Sequence, residues 1–407
     1  MTAAKVLFVT WDGPQVSYLQ SLFLPIFKGL AQRGHSFHVL QFTWGAKAEQ
    51  MLAQDACEAA GCSYRSIPVL RTPVAAGSLV TAALGSRPVG RAVIEHAIDI
   101  VLPRSTLPAL ATRLALRSLP SVGVLLDADG LPHDERVDFD GWSAEGLAYR
   151  LLRDLESAAV RRADAVLTRS RKAIDILCAR AGPGTDPAKF HVVTNGRDAE
   201  LFRPALAGER AAVRRELGID GSAPLLVYAG SIGPQYCVPE MLEFFRLVRG
   251  RRSDAKLLLL TGSPDAAERS LDGFADLRSS CHVLQVPSGQ VPRYLGAGDL
   301  GLALRRPSFS MQAVAPIKLG EYLLCGLPVL ATRAIGDTDQ WIPDGAGRRL
   351  ASMSAEELTA AAEWFVDVVL GDAGFGVRCR QAGLRNFSLD ASIDAYAGAL
   401  DAIGARA

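Results

Sequence analysis

The stretch Pro316-Ile-Lys-Leu-Gly-Glu-Tyr-Leu-Leu-Cys-Gly-Leu-Pro-Val-Leu-Ala-Thr332 reads as a helix feeding a strand. Pro316 suits the first helical position, Gly326 the residue just past the end, and Pro328 opens the apolar run that follows. Residues three, four and seven apart share a helical face, so Lys318, Glu321 and Cys325 line up while every other face is Leu, Ile, Tyr or Gly. A helix this apolar is buried nearly all round, and its charged stripe must look into a cleft. A cation in the first helical turn opposes the positive end of the helix dipole by roughly 0.3–1 kcal/mol, unless an anion sits there with it. Lys318 is therefore either an anion ligand or the intrahelical partner of Glu321, a pair worth about 0.2–0.5 kcal/mol. The unfavourable placement favours the anion.

Outward from this helix, apolar runs of strand length recur at 5–10, 37–42, 64–69, 98–103, 122–127, 165–168 and 191–194, then at 225–229, 256–261, 281–286, 299–304 and 329–331. Helical patterns fill most gaps, at 15–32, 46–59, 106–117 and 142–162. Strands without polar alternation, each followed by a helix, predict parallel sheets covered on both faces. The fold class is α/β, with two doubly wound domains in tandem. Pro204, Gly208, Gly218, Gly221 and Pro224 punctuate the join, giving domains of 1–200 and 201–386 and a final amphipathic helix within 387–407.

Composition agrees. The 407 residues are 49% hydrophobic and 21% charged, ordinary for a soluble globular chain, and a net charge of +1 gives no ground for nucleic acid. Seven scattered cysteines without a C-x-x-C read as reduced thiols, and six histidines show no metal-ligand spacing, so no metal is expected. The first apolar run meets Trp11 and Asp12 at once, unlike a signal peptide, and the protein is expected in the cytoplasm. Arg150, Arg153, Arg161, Arg162, Arg169, Arg171 and Lys172 are diluted by Asp154, Glu156, Asp164 and Asp175. A solvated face is favoured there over peripheral contact with the inner face of a membrane.

The pattern P-x-K-x-G-E-Y-L-x-x-G-x-P-V resembles the C-terminal donor-site helix of GT-B glycosyltransferases, in particular the retaining family 4 enzymes. Four further segments extend the resemblance in family order: Asp127-Ala-Asp-Gly130 with His133-Asp-Glu-Arg136; Arg162-Ala-Asp-Ala-Val-Leu-Thr168; His191-Val-Val-Thr-Asn-Gly-Arg-Asp198 with Phe202-Arg-Pro204; and Leu225-Leu-Val-Tyr-Ala-Gly-Ser-Ile-Gly233. The first two look like polysaccharide-type members. The resemblance implies the GT-B fold, an interdomain cleft and a last helix crossing back to the first domain. It also implies Glu321 as the acid that accepts ribose hydroxyls. Better-known members carry an Arg near Ser231, a Lys near Tyr236 and a first acid where Ala313 stands, so this chain departs from the family at the diphosphate and at the sugar.

Open parallel sheets bind ligands outside the carboxyl ends of their strands. Trp11-Asp-Gly-Pro-Gln15 follows the first strand, where Gly13 serves either backbone approach to a donor or a plain turn; a full G-x-G-x-x-G is missing, which weighs against a dinucleotide dehydrogenase. Gly230, Ser231 and Gly233 form the corresponding loop of the second domain. Lys318 and Arg306 are the expected catalytic cations, with Arg305, Ser310, Gln312 and Glu321 as further donor ligands. Arg104, Asp127, Asp129, His133 and Glu135 end two adjacent strands of the first domain and are the expected acceptor group.

The expected function is metal-independent, retaining transfer of a sugar from a nucleoside diphosphate sugar to a hydroxyl of a glycan or lipid-linked acceptor in surface polysaccharide or glycolipid synthesis. No cofactor beyond the donor is implied. The alternatives are a nucleotide-sugar 2-epimerase on the same fold and a non-catalytic nucleotide-sugar binder; a phosphorylase would need a longer chain.

Overall fold

Leucine- and valine-rich runs without polar alternation become buried strands, and in both halves of the chain every ladder is parallel. The computed structural model describes residues 3–14 and 18–405. One unit holds the residues up to Thr194 and from Leu389 onward, and the other is Asn195–Ser388. The chain leaves the first unit ahead of the expected boundary at 200. The reason is local: the Arg197 amide donates to Phe387 O and Asn195 Nδ2 to Ala315 O, which ties this segment into the second unit.

The first unit has β1 (Lys5–Asp12), β2 (Ser36–Thr43), β3 (Ser63–Pro68), β4 (Ile100–Pro103), β5 (Gly123–Asp127), β6 (Ala165–Thr168) and β7 (Phe190–Val192). Their order is β3-β2-β1-β4-β5-β6-β7, so the winding reverses between β1 and β4. Phe8, Phe23, Phe27 and Phe37 fill its core, with Phe27 and Phe37 stacked at 4.2 Å between centroids. The last helix, Leu389–Gly404, adds Ile393, Tyr396, Leu400 and Ile403 to that same core.

The second unit has β8 (Leu225–Ala229), β9 (Lys256–Leu260), β10 (Cys281–Leu284), β11 (Leu300–Ala303), β12 (Val329–Thr332) and β13 (Gly347–Leu350), in the order β10-β9-β8-β11-β12-β13. Here the winding reverses between β8 and β11, which is where such a sheet opens a crevice for a ligand.

Strand positions follow the sequence reading closely, and helix boundaries less so. The helix expected at 142–162 begins at Leu147, because Gly141 takes a positive φ of 71° and Gly146 is extended at the cap. Helices Val74–Leu84 and Ser86–Glu95, between β3 and β4, were not predicted, nor was β13. Its Gly-Arg-Arg-Leu lacks an apolar run because it is an edge strand, with one side open to water. The helix expected at 15–32 is helical over Leu19–Phe23 and Leu24–Ala31; its first residues, with Gln15 of the preceding turn, lie outside the described residues.

Candidate functional site

The helix predicted from Pro316 to Gly326 is present as Ile317–Leu324, with Pro316 at the cap and Gly326 at φ 71° past its end. It is buried from Lys318 through Leu324. Tyr322 anchors it at the switch point: its Oη accepts the Ala229 amide of β8 at 2.7 Å, and its ring lies where a Cβ on Gly301 of β11 would sit, 2.4 Å from Cδ2. Cys325 is buried, and burial pushes its thiol up to about 12, which makes it packing rather than a nucleophile.

Lys318 reaches the loop after β8. Its ammonium lies 3.9 Å from the Tyr228 ring centroid and 4.3 Å from that of Tyr236. A Cβ on Gly230 would stand 2.8 Å from Nζ, and Gly230 holds a positive φ of 147°, so only glycine fits. Nζ is buried and takes no hydrogen-bond acceptor among the described residues. Burial holds this amine well below the ordinary lysine value, the nearby Arg305 lowers it further, and Glu321 opposes both. Two aromatic faces contribute about 0.5–2 kcal/mol each to a cation, less than its desolvation costs. Among the described residues the amine therefore has two aromatic faces beside it and no acceptor for its N–H groups.

Glu321 pairs elsewhere. Arg197 donates to Glu321 Oε1 from Nε at 2.8 Å and from Nη2 at 2.6 Å, which excludes the Lys318–Glu321 salt bridge as the reason for either charge. Burial pushes the Glu321 carboxyl up while Arg197 and Lys318 pull it down. Glu321 and Arg197 line a cleft of about 260 Å³ with Gly230, Thr261, Gly262 and Ser288, at the carboxyl ends of β8, β9 and β10.

The other expected donor residues divide. Ser231 shapes the loop, its carbonyl accepting the Tyr228 hydroxyl, and Gly233 is extended at the start of the next turn. Arg305 lies 4.9 Å from the centroid of the Tyr236 ring, which Lys318 also approaches. Arg306, expected beside Lys318, is instead exposed, with Nη2 at 3.7 Å from Glu240 and its amide on Gln235 O. Ser310 is buried within 3.3 Å of Ser308 Oγ, and Gln312 donates to Phe309 O. Ala313 is fully buried. Gly13 makes room for Trp44, whose Cζ2 would be 2.4 Å from an added Cβ, so packing explains this glycine.

In the first unit, Arg104 is buried between the rings of Tyr18 and Phe23, 5.2 Å from each. It reaches Asp12 at 3.3 Å and Asp129 at 2.6 Å. Asp127 was expected to face an acceptor; it is fully buried, with both oxygens on Arg169 Nη2 at 2.8 and 2.7 Å and Tyr396 Oη 3.4 Å away. It belongs to the frame of this cluster, and Asp129, in a left-handed conformation at φ 54°, to its open side. His133 bonds Thr106 Oγ1 at 2.7 Å, and burial pushes its imidazole down to about 4, so it is neutral at physiological pH. Glu135 is half-buried on helix Pro132–Phe139. Among the described residues no group of three His, Cys, Asp or Glu side chains is placed to hold a metal ion.

Residues 22–196 match the family model described as glycosyl transferase 4-like domain. It is 33% identical over 129 residues to the alpha-maltose-1-phosphate synthase of Mycolicibacterium smegmatis, a match covering 31% of this chain and 32% of that protein. The chain thus spans about a third of the curated relative's length. In structure it is similar to a glycosyltransferase from Rickettsia africae, with a TM-score of 0.77 over all of both chains at 14% identity. Anabaena HepE in complex with UDP and glucose gives a TM-score of 0.71 at 16% identity, over 98% of this chain and 99% of that one. These likenesses show the GT-B fold; the residues matched by the family model lie in the first unit up to Thr194, whereas Lys318 and Glu321 lie in the second.

The residues that sequence reasoning missed are Arg197, Arg169, Tyr228 and Tyr236 as neighbours of charge. A signal existed for two of them: Arg197 sits inside the quoted segment ending at Asp198, and Arg169 directly follows the apolar run of β6, as Arg104 follows β4.

Proposed function

We propose that this chain is a retaining glycosyltransferase that moves a sugar from a nucleoside diphosphate sugar to an acceptor hydroxyl. The observation that carries the reading is the buried Lys318 ammonium against Gly230, beside the Glu321–Arg197 pair, at the β8–β11 switch point. A diphosphate supplies the missing anion, and Glu321 Oε2 accepts ribose hydroxyls. The UDP in the HepE complex supports a nucleoside diphosphate as ligand. As the bond from C1 to the diphosphate oxygen breaks, charge grows on that oxygen, and a fixed cation stabilises it more than it does the bound substrate. The acceptor oxygen forms the new bond to C1, and its proton passes to the leaving diphosphate. Asp127 and Asp129 are each engaged by arginine, which supports a route without a dedicated protein base. The resemblance of 127–168 to polysaccharide-type members supports a glycan or lipid-linked acceptor, and no helix among the described residues is long and apolar enough to cross a membrane.

The test is release of nucleoside diphosphate from UDP-, ADP- and GDP-sugars with and without acceptor glycans. Release that requires acceptor supports transfer; release from donor alone means an epimerase, and tight binding without release in any combination means a binder. With the cations supplied by side chains, turnover in excess EDTA is expected to equal that of the untreated protein. Loss of turnover restored by manganese or magnesium overturns this mechanism.

The buried amine also makes stability depend on pH. Lys318 binds fewer protons in the folded than in the unfolded chain between its lowered value and the ordinary 10.5. Its contribution to stability therefore rises with pH across that window, and its cost is complete below it. Lys318→Met, measured by thermal unfolding without ligand, is expected to raise Tm at neutral pH by an amount that shrinks toward pH 10.5. A lower Tm for the Met variant at neutral pH would mean that Lys318 is paired in the free protein.

A further inference from the structure

Between Glu58 and Glu95 the chain has no acidic residue and no lysine, but it has Arg65, Arg71, Arg87 and Arg91. Helices Val74–Leu84 and Ser86–Glu95 lie in this stretch with only Gly85 between them. Gly85 keeps helical dihedrals, φ −61° and ψ −16°, and its amide donates to Thr81 O at 2.7 Å, so the two helices run on with little break. Both pack against helix Thr106–Ala115, which turns their other face outward. Ala76, Val80, Leu84, Arg87, Arg91 and Ile94 follow one another at steps of three or four and are all exposed.

The first of these helices has no charged side chain. Val80 and Leu84 on it, Val74 at its start and Leu70 in the preceding loop are 47% to 56% exposed, and Ile94 is 71% exposed. The loop is tied to the helix, since the Leu70 amide donates to Thr81 Oγ1 at 3.0 Å. Arg71 in that loop lies 4.3 Å from the centroid of Trp44, itself 40% exposed. A helix facing only water carries charges of both signs. This face instead combines exposed apolar side chains, an aromatic ring and three arginines against a single acid, Glu95 at its end, the composition of a helix lying in the plane of a lipid–water interface.

We propose that the face made by Val74–Leu84 and Ser86–Glu95 docks the protein on an anionic lipid bilayer, with Leu70, Val74, Val80 and Leu84 among the acyl chains and Arg71, Arg87 and Arg91 at lipid phosphates. Charge complementarity decides the occupant. A second copy of the chain in a two-fold dimer would bring Arg71, Arg87 and Arg91 toward their own copies, with Glu95 alone to offset them. Helix Leu147–Arg162 does not qualify, because Asp154 and Glu156 interrupt its arginines. The proposal goes beyond the donor-site reading and uses none of its residues.

The experiment is co-sedimentation of the full chain with vesicles of phosphatidylcholine alone and of phosphatidylcholine mixed with phosphatidylglycerol. Binding is expected only to the mixed vesicles and weakens as salt is raised. Each arginine removed should weaken it about 5-fold, so R87A/R91A by about 25-fold. Val80→Glu with Leu84→Glu should weaken it by on the order of 10-fold or more. These positions are exposed, and an unchanged Tm and UDP affinity show that the variants are folded. Absence of binding to the mixed vesicles at low salt, or binding that neither pair of substitutions alters, overturns the proposal. So does a self-association that these substitutions disperse in a protein indifferent to lipid.

Discussion

Lys318→Met is expected to lower the turnover of sugar transfer by about 100- to 1000-fold, the effect of losing one preorganised electrostatic contact worth roughly 2.7–4 kcal/mol of barrier. Methionine keeps the aliphatic stem packed against Tyr228 and Tyr236, so the loss reports charge rather than a cavity. Family members with the usual Arg and Lys in the loop after β8 share this charge among several cations. Here Ser231 and Tyr236 stand near those positions, Arg306 is turned to the surface toward Glu240, and Arg305 is held against the Tyr236 ring. Donor affinity should fall much less than turnover, because the charge that Lys318 stabilises develops as the bond breaks. Steady-state turnover measured beside the equilibrium affinity for the intact donor separates the two. Near-normal turnover in the Met variant would remove Lys318 from the chemistry.

Glu321→Ala is expected to weaken nucleotide-sugar binding by about 10- to 100-fold, since hydrogen bonds to a charged group contribute roughly 1.5–3 kcal/mol. The structure adds a consequence that the motif alone does not carry. Arg197 spends both Nε and Nη2 on Glu321 Oε1, so the alanine variant also leaves a partly buried guanidinium without its carboxylate. Stability should fall together with affinity. Glu321→Gln, which keeps an acceptor oxygen for Arg197, should retain more of the stability while still losing donor affinity. Calorimetric titration with UDP checks both variants, and an affinity unchanged in a correctly folded alanine variant would end the assignment of Glu321 to the ribose.

Burial on both faces demands an unbroken apolar run, and that demand acts residue by residue along the chain. For this reason the strands from Lys5–Asp12 to Val329–Thr332, their parallel pairing and the helix Ile317–Leu324 with its Pro316 and Gly326 ends were all legible in the sequence alone. The same local logic singled out Lys318 and Glu321 as charges out of place on an apolar helix. It failed where burial is one-sided, at the polar edge strand Gly347–Leu350, and where helices lack charge, at Val74–Leu84. Which charge meets which was decided only by tertiary structure. Glu321 finds Arg197 across 124 residues, Asp127 finds Arg169 across 42, and Lys318 lies between two tyrosines that the reversal of strand order at β8 and β11 brings to it. A carboxylate buried at a strand end or on an apolar helix needs a cation, and nothing in its neighbouring residues says which distant arginine will supply it.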